Sequence, residues 1–213
     1  MADLNKLYEA ILNGDPKASL AITEQALKER VAPMDLITKY MVPAMDEVGR
    51  RFECEEYFVP ELMLAGRAMK VSLNLLRPLL AGSGAELAGR AVIGTVKGDL
   101  HDIGKNLVAS MLEGAGFEVI DLGTDVPPEK FIEAVRSSEA QIVCLSALLT
   151  VTMPAMKTTV EAFREAGVRA NVRIFVGGAP VTRQDAEEIG ADGYGETASA
   201  AVSLARSVQT GGL

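Results

Sequence analysis

Hydrophobic positions in the first part of the chain, up to about residue 80, follow the three-to-four-residue spacing of amphipathic helices. The first helix should end at Asn13-Gly14, and Asp15-Pro16 then supplies an N-cap and a first-turn proline for the second. A third helix should begin at Pro33 and be kinked or interrupted at Pro43. A fourth apolar stretch runs from Phe58 to Leu80. Four amphipathic segments joined by short turns predict a small helical bundle.

From Arg90 onward the pattern changes, because short β-rich runs alternate with helical stretches. Such alternation predicts an α/β fold: a doubly wound, flavodoxin-like parallel sheet of five strands covered by helices on both faces. In such folds ligands bind beyond the carboxyl ends of the strands. The predicted strands are Ala91–Val96, Phe117–Leu122, Ile142–Leu145, Ile174–Val176 and a short one before the last helix, and the predicted helices are Lys105–Leu112, Pro127–Val135, Met153–Ala166, Asp185–Ile189 and Ala198–Ser207.

The two patterns meet at a stretch of small residues, Ala81-Gly82-Ser83-Gly84-Ala85. Its composition favours a flexible linker between domains over a simple helix-to-strand turn. The predicted organisation is therefore a helical domain at 1–80, a linker at 81–89 and an α/β domain at 90–213.

Composition excludes several classes of protein. Hydrophobic residues form 48% of the 213 residues, which supports globular cores, and the net charge of −8 argues against nucleic acid as a partner. No apolar run is long enough for a membrane span, and the N-terminus lacks the basic and apolar regions of a signal peptide. We therefore expect a cytoplasmic protein in which Cys54 and Cys144 are free, buried thiols.

The loop after the first predicted strand contains His101, the one histidine of the chain. Asp99 lies two residues before it, and a nearby carboxylate can accept an imidazole N–H and determine the tautomer. Gly98 and Gly104 on either side allow a sharp turn and the close approach of a large group. Taken alone, the loop is either a binding loop or a surface loop in which the histidine is incidental.

The loops after the third and fourth strands carry weaker signals. Ser146, Thr150 and Thr152 offer hydroxyls to a polar ligand, although hydroxyls here also serve as ordinary helix caps. Gly177-Gly178 would admit a ligand against the backbone, or simply form a turn. The sequence has no GxGxxG fingerprint and no Walker A loop, so nicotinamide and ATP sites are poorly supported.

Together these residues resemble the cobalamin-binding modules of corrinoid-dependent methyltransferases, including cobalamin-dependent methionine synthase. The family signature is Asp-x-His-x-x-Gly, Ser-x-Leu and Gly-Gly at the ends of the first, third and fourth strands. The residues that match this signature are Asp99, His101 and Gly104, then Ser146 and Leu148, then Gly177 and Gly178. The helical half resembles the cap domain that precedes the cobalamin domain in this family.

The resemblance implies a role for each of these positions. His101 would be the lower axial ligand of the cobalt, with Asp99 and then Thr152 forming a hydrogen-bonded relay behind it, although the family example has serine where this chain has Thr152. The slot for the displaced nucleotide tail of cobalamin would be lined by Ser146 and the two glycines. The full set of cofactor-binding residues implied is Gly98, Asp99, His101, Asp102, Ile103, Gly104, Ser146, Leu148, Thr150, Gly177 and Gly178, with Phe52, Val59 and Leu62 of the cap on the upper face of the corrin.

The function implied by the resemblance is that of a methyl-carrying corrinoid protein. Its cobalamin, as cob(I)alamin, would accept a methyl group from a substrate-specific methyltransferase, and the resulting methylcobalamin would deliver it to a second methyltransferase and an acceptor such as tetrahydrofolate. A reductive activating protein is a further implied partner. The 213 residues are taken up by cap and cofactor domain, so the chain would not be an enzyme alone.

Two other functions are compatible with a cobalamin domain. Cobalamin-binding regulators or light sensors typically add a basic DNA-binding module and often a cap histidine, and this sequence has neither. The cobalamin subunit of a carbon-skeleton mutase usually lacks a helical cap, so residues 1–80 argue against it. The carrier is the favoured hypothesis.

Overall fold

The computed structural model describes residues 3–80 and 88–209. The chain divides into two compact units, one comprising Met1–Leu87 with Ser110–Gly116 and the other Ala88–Ala109 with Phe117–Leu213. Positions 81–87, most of the predicted linker, lie outside the described residues.

The first unit is helical, as predicted. Asp15 caps α2 by accepting hydrogen bonds from the backbone N–H groups of Lys17 and Ala18, each at 3.0 Å, and Pro16 is the first helical residue. The helices are α1 (Asn5–Leu12), α2 (Pro16–Lys28), α3 (Pro33–Leu36), a π-helical segment (Ile37–Met41), α4 (Val42–Glu53) and α5 (Val59–Leu80).

The interruption predicted at Pro43 lies just before that residue. Pro43 is the second residue of α4, and the turn preceding it is π-helical, with the Val42 N–H bonded to the Ile37 carbonyl five residues back. A proline has no N–H, and its ring crowds the carbonyl four residues earlier. The wider π turn accommodates the ring while the helical path continues.

The core of the helical unit is formed by the apolar faces that the sequence indicated. Between α2 and α5 it also contains three hydroxyls: Ser19 and Ser72 lie 2.7 Å apart, and Thr23 donates to Ser72 at 3.0 Å. Ser19 also bonds the Ala68 carbonyl, so these buried polar groups are paired. Apolar residues of this core, each at most 2% exposed, are Leu7, Ile11, Leu36, Met41, Met45, Val48, Leu62, Met69, Leu73 and Leu76.

The second unit is a parallel sheet of five strands in the order β2-β1-β3-β4-β5, which is the flavodoxin-like, doubly wound order and confirms the predicted fold. The strands are β1 (Arg90–Thr95), β2 (Glu118–Asp121), β3 (Ile142–Ser146), β4 (Arg173–Gly177) and β5 (Gly193–Tyr194). The helices that follow the strands are α6 (Ile103–Gly114), whose residues 110–114 are counted with the first unit, α7 (Pro128–Ser138), α8 (Met153–Glu165), α9 (Arg183–Ile189) and α10 (Ala198–Gln209), with a 3-10 turn at Arg169–Asn171.

The strand register brings the three predicted sequence signals together at one edge. Thr95 of β1 pairs with Ser146 of β3, and Ser146 pairs with Gly177 of β4. The loops that follow these residues therefore begin side by side.

The two cysteines are free, but only one is buried. Cys144 lies in the centre of β3, and burial raises the pKa of its thiol to about 12, so it stays protonated. The prediction that Cys54 is buried was wrong, because this residue follows the last turn of α4 among glutamates and is exposed. Among the helices of residues 3–80 and 88–209, none has the length and apolarity to span a membrane.

Candidate functional site

Asp99 is the centre of the site at the carboxyl edge of the sheet. Its side chain is fully buried, yet both oxygens are paired. Oδ1 accepts from the backbone N–H of His101 at 3.0 Å and lies 2.8 Å from the Nδ1 of the same residue. Oδ2 accepts from the Leu148 N–H at 2.8 Å and from the Thr152 hydroxyl at 2.7 Å. One carboxylate thus ties the β1–α6 loop to the β3–α8 loop.

The hydrogen bonds keep this carboxylate ionised. Burial by itself would raise the pKa of Asp99, but the bonds from Leu148, His101 and Thr152 outweigh it and hold that pKa well below its usual range. A permanent negative charge at this point makes Asp99 a strong acceptor for an imidazole N–H.

His101 is held in one orientation by this charge. Because Asp99 can only accept, the proton of the neutral ring lies on Nδ1, and Nε2 has a lone pair. The Thr95 hydroxyl bonds the His101 carbonyl at 2.7 Å, which also positions the backbone. The His101 side chain is 49% exposed, so a ligand can reach it.

Thr152 completes the hydrogen-bonded row that the sequence left open. Its hydroxyl lies 2.7 Å from Asp99 Oδ2 and 2.8 Å from the Leu149 carbonyl. The ionised carboxylate is the stronger acceptor for the single hydroxyl proton. The side chain that replaces serine therefore keeps the contact, and the row runs from His101 through Asp99 to Thr152.

The two loops joined by Asp99 also expose large apolar side chains. Ordinary loops are polar, so several apolar residues at one edge of a sheet indicate a surface for an apolar group. Of these residues only Ile103 and Leu148 were predicted from the sequence, although the apolar Leu100 between Asp99 and His101 was a visible signal. The residues and their exposed fractions are Leu100 74%, Ile103 71%, Leu148 40%, Leu149 42% and Val151 79%.

The glycines of the site differ in how closely other atoms approach them. A Cβ on Gly178, whose φ is +132°, would lie 1.8 Å from the Ala147 carbonyl oxygen, and one on Gly177 would lie 2.9 Å from the Gly195 carbonyl oxygen. These two are thus required by the close approach of neighbouring backbone, before any ligand is considered. Gly104 differs, since a Cβ there would meet nothing within 4 Å.

The remaining predicted residues of this unit lie around the same edge. Ser146 is the last residue of β3 and is half-buried, while Thr150 is exposed in the loop that follows. Gly98 has a φ of +85° and lies in the turn before Asp99. Asp102 immediately precedes α6 and accepts a hydrogen bond from Asn106 Nδ2 at 3.1 Å.

The three predicted residues of the helical unit have different surroundings. Leu62 is 1% exposed and belongs to the core of the helical unit. Val59 begins α5 with 37% exposed, and Phe52 is partly buried on α4. Their contact with a corrin stays a prediction.

The residues present fit a cobalamin. The site offers an imidazole whose Nε2 is directed away from its hydrogen-bonded Nδ1, a surrounding apolar surface and, at Gly104, space without a side chain. Imidazole is a suitable ligand for a transition metal such as cobalt, and a buried carboxylate behind it is the usual outer partner. His101 would hold the metal and Asp99 would orient the ring.

Comparison with known proteins agrees with this chemistry. A family model described as "B12 binding domain" matches residues 89–203, and a second model of the same description matches residues 3–77. Trimethylamine corrinoid protein 1 of Methanosarcina acetivorans is 42% identical over 205 residues, covering 95% of each chain. A corrinoid protein of Desulfitobacterium hafniense is 39% identical over 211 residues, covering 98% of each.

Solved structures give the same result. The methanol:cobalamin methyltransferase complex of Methanosarcina barkeri matches with a TM-score of 0.87 and 29% identity, over 98% of this chain and 80% of that one. A cobalamin-binding protein of Desulfitobacterium hafniense matches with a TM-score of 0.77 and 34% identity, over 96% and 97%. By sequence and by structure, this chain belongs to the family of B12-binding corrinoid proteins.

Proposed function

We propose that this chain is a methyl-carrying corrinoid protein, with His101 as the protein ligand of the cobalt. The observation on which this depends is the row His101–Asp99–Thr152, at a sheet edge that exposes apolar side chains. Cobalamin, when bound, supplies a cobalt centre that can take up and give up a methyl group. The similarity to trimethylamine and dimethylamine corrinoid proteins supports this assignment.

The contribution of the protein is to hold and tune the ligand. Asp99 keeps the Nδ1 proton in place, so that Nε2 remains the donor atom, and its negative charge increases the donor strength of the ring. Thr152 donates to the far oxygen of Asp99 and lowers the charge available to the imidazole. The strength of the imidazole–cobalt bond would therefore depend on three side chains.

The proposed partners rest on the similarity to a solved complex and on the chemistry of a methyl carrier. The solved methanol:cobalamin methyltransferase complex supports a partner methyltransferase that holds the methyl donor. A second methyltransferase, an acceptor such as tetrahydrofolate and a reductive activating protein complete the proposed system, and the chain alone would not turn over substrate. Residues 1–80 would form the cap and 90–213 the cobalamin-binding domain, in a cytoplasmic protein.

The direct test is binding of hydroxocobalamin. The protein and the His101→Ala variant are incubated with hydroxocobalamin and desalted, and the absorbance spectra of the retained material are compared. We expect the wild type to retain the corrin with a spectral shift that the variant lacks, because alanine removes the Nε2 ligand. Identical spectra for the two bound proteins would refute ligation by His101, and a folded wild type that retains no corrin would refute the proposed function.

The Gly104→Ala variant tests whether corrin binding can be weakened without a loss of folding stability. Since a Cβ here meets nothing within 4 Å, the cobalamin-free variant should be as stable as the wild type or more stable by up to about 1 kcal/mol. Corrin retention should fall, because the new methyl group occupies space at the proposed binding surface. Thermal unfolding of the cobalamin-free samples is the control, and undiminished retention would contradict the use of this space by the cofactor.

A further inference from the structure

Asp99 and His101 lie in the loop between β1 and α6, and hydrogen bonds to Asp125 hold the backbone at the start of this loop. The Gly98 N–H donates to Oδ1 of Asp125 at 2.7 Å, and the Asp125 N–H donates to the Asp99 carbonyl at 2.9 Å. Asp125 therefore bonds the backbone on both sides of the Gly98–Asp99 peptide. It lies in the loop between β2 and α7, 27 residues away along the chain.

The backbone at Asp125 is held in an unfavourable conformation. Its φ is +54°, in the left-handed region. Glycine adopts this region readily, asparagine and aspartate do so occasionally, and other residues rarely do. Next to it, Val126 forms a parallel bridge with Val96, and its N–H bonds the Thr95 carbonyl at 3.0 Å. The bridge and this hydrogen bond hold the loop beside the end of β1 in this conformation.

The chain after His101 is also bonded to the end of β2. Lys105, two residues into α6 from its first residue, has a side chain only 2% exposed. Its Nζ donates to Asp121 Oδ1 at 2.6 Å and to Asn106 Oδ1 at 2.7 Å. Asp121 ends β2 and also accepts from the Gly123 N–H at 2.9 Å. Residues 121–125 thus bind the chain before His101, at Gly98, and after it, at Lys105.

We propose that Asp125 is a positioning residue for His101, acting through the Gly98–Asp99 backbone. This inference rests on the proposed function for its purpose, which is to keep Nε2 at a constant position for the cobalt. Without the Asp125 carboxylate, the Gly98 N–H loses its acceptor and the turn before Asp99 gains freedom. Asp99 and His101 then sample more than one arrangement.

The test uses the fact that the chain has one histidine, so its imidazole nitrogen signals are unambiguous. In cobalamin-free, 15N-labelled wild type we expect a single Nδ1–H tautomer. In Asp125→Ala we expect a mixture of tautomers, and amide exchange at Gly98 at least tenfold faster. Asp125→Asn should restore the wild-type signals, because asparagine keeps an acceptor oxygen and tolerates a positive φ. Cobalamin affinity should fall about tenfold in the alanine variant.

A matched control, Glu139→Ala, shows how much of the effect comes from placing alanine in a left-handed backbone conformation. Glu139 has the same φ of +54°, at the end of α7, where its side chain lies 3.7 Å from Arg90. Glu139→Ala imposes the same left-handed alanine but should leave the His101 signals unchanged. If Asp125→Ala is unstable, Asp125→Gly removes the carboxylate while tolerating the backbone conformation, and it should give the same tautomer mixture.

Two results would overturn the proposal: wild-type His101 signals in both Asp125→Ala and Asp125→Gly, or an equal disturbance in Glu139→Ala. The nitrogen signals are measured without cobalamin, so they test the positioning role even if His101 proves not to bind cobalt. Failure of the proposed function would appear instead in the comparison of bound wild type with His101→Ala.

Discussion

Gly178→Ala is expected to prevent the α/β unit from folding stably. The added Cβ would lie 1.8 Å from the Ala147 carbonyl oxygen, and the residue would have to keep a φ of +132°. The backbone segments that carry these two atoms lie side by side just after β3 and β4, where the Ala147 N–H bonds the Gly177 carbonyl at 3.2 Å. Neither can move without breaking that contact. We expect a loss of more than about 4 kcal/mol, a large part of the stability of a domain.

The measurement is chemical unfolding of Gly178→Ala followed by circular dichroism. Gly167→Ala is the matched control, since Gly167 also has a positive φ, +69°, but a Cβ there meets nothing within 4 Å. It should cost only about 1 kcal/mol, from backbone strain alone. A well-folded Gly178→Ala with impaired corrin retention would show instead that this glycine serves only to make room for the ligand.

Asp99→Asn should have the second-largest effect. The amide group replaces one acceptor oxygen with a donor, so either the His101 N–H or the Leu148 N–H then faces another donor. We expect a loss of about 2 kcal/mol at neutral pH. The His101 ring also loses a charged acceptor, so its nitrogen signals should shift and bound cobalamin should be released faster.

The loss of stability in Asp99→Asn should depend on pH, in a direction set by the lowered pKa of Asp99. The folded-state pKa of Asp99 lies below the value of about 3.9 expected for the unfolded chain, so its ionised form stabilises the fold fully above that value. This contribution is lost as the pH falls from about 4 toward the folded-state pKa. The stability difference between wild type and Asp99→Asn should therefore narrow from pH 7 to pH 3.

Asp185→Asn is a suitable control for the loss of a charge. Asp185 also has a lowered pKa, caused by bonds from Thr182 at the start of α9, but it is only half-buried and belongs to a helix cap. It should cost about 1 kcal/mol or less and leave His101 unchanged. An Asp99→Asn variant with the stability and the His101 signals of the wild type would contradict the conclusion that the Asp99 carboxylate stabilises the two loops and orients His101.

Local signals in the sequence predicted most of the secondary structure. The Asp15-Pro16 cap, the apolar faces of the helices and the alternation of strands and helices depend on residues a few positions apart, and the structure confirms them. The burial of Cys54 was predicted wrongly, because the prediction rested on the usual burial of free thiols and not on the neighbouring glutamates Glu53, Glu55 and Glu56.

The candidate site was indicated by sequence only in part. The spacing of Asp99, His101 and Gly104 in one loop is local, so the carboxylate and the imidazole could be paired from the chain alone. The bonds from Leu148 and Thr152 to Asp99 join residues 49 and 53 positions apart, and that from Gly98 to Asp125 spans 27. Such contacts form only when the parallel strands align in register and bring their loops to one edge.

The two kinds of structure, the order of the elements and the one histidine available for imidazole chemistry were thus evident from the sequence. Three features became evident only in the folded chain: the close backbone approach at Gly178, the hydrogen bond from Thr152 to Asp99, and the hydrogen bond from Gly98 to Asp125. Hydrogen bonds and steric contacts depend on distances in space, and these distances are set by the folded sheet and not by the spacing of residues along the chain.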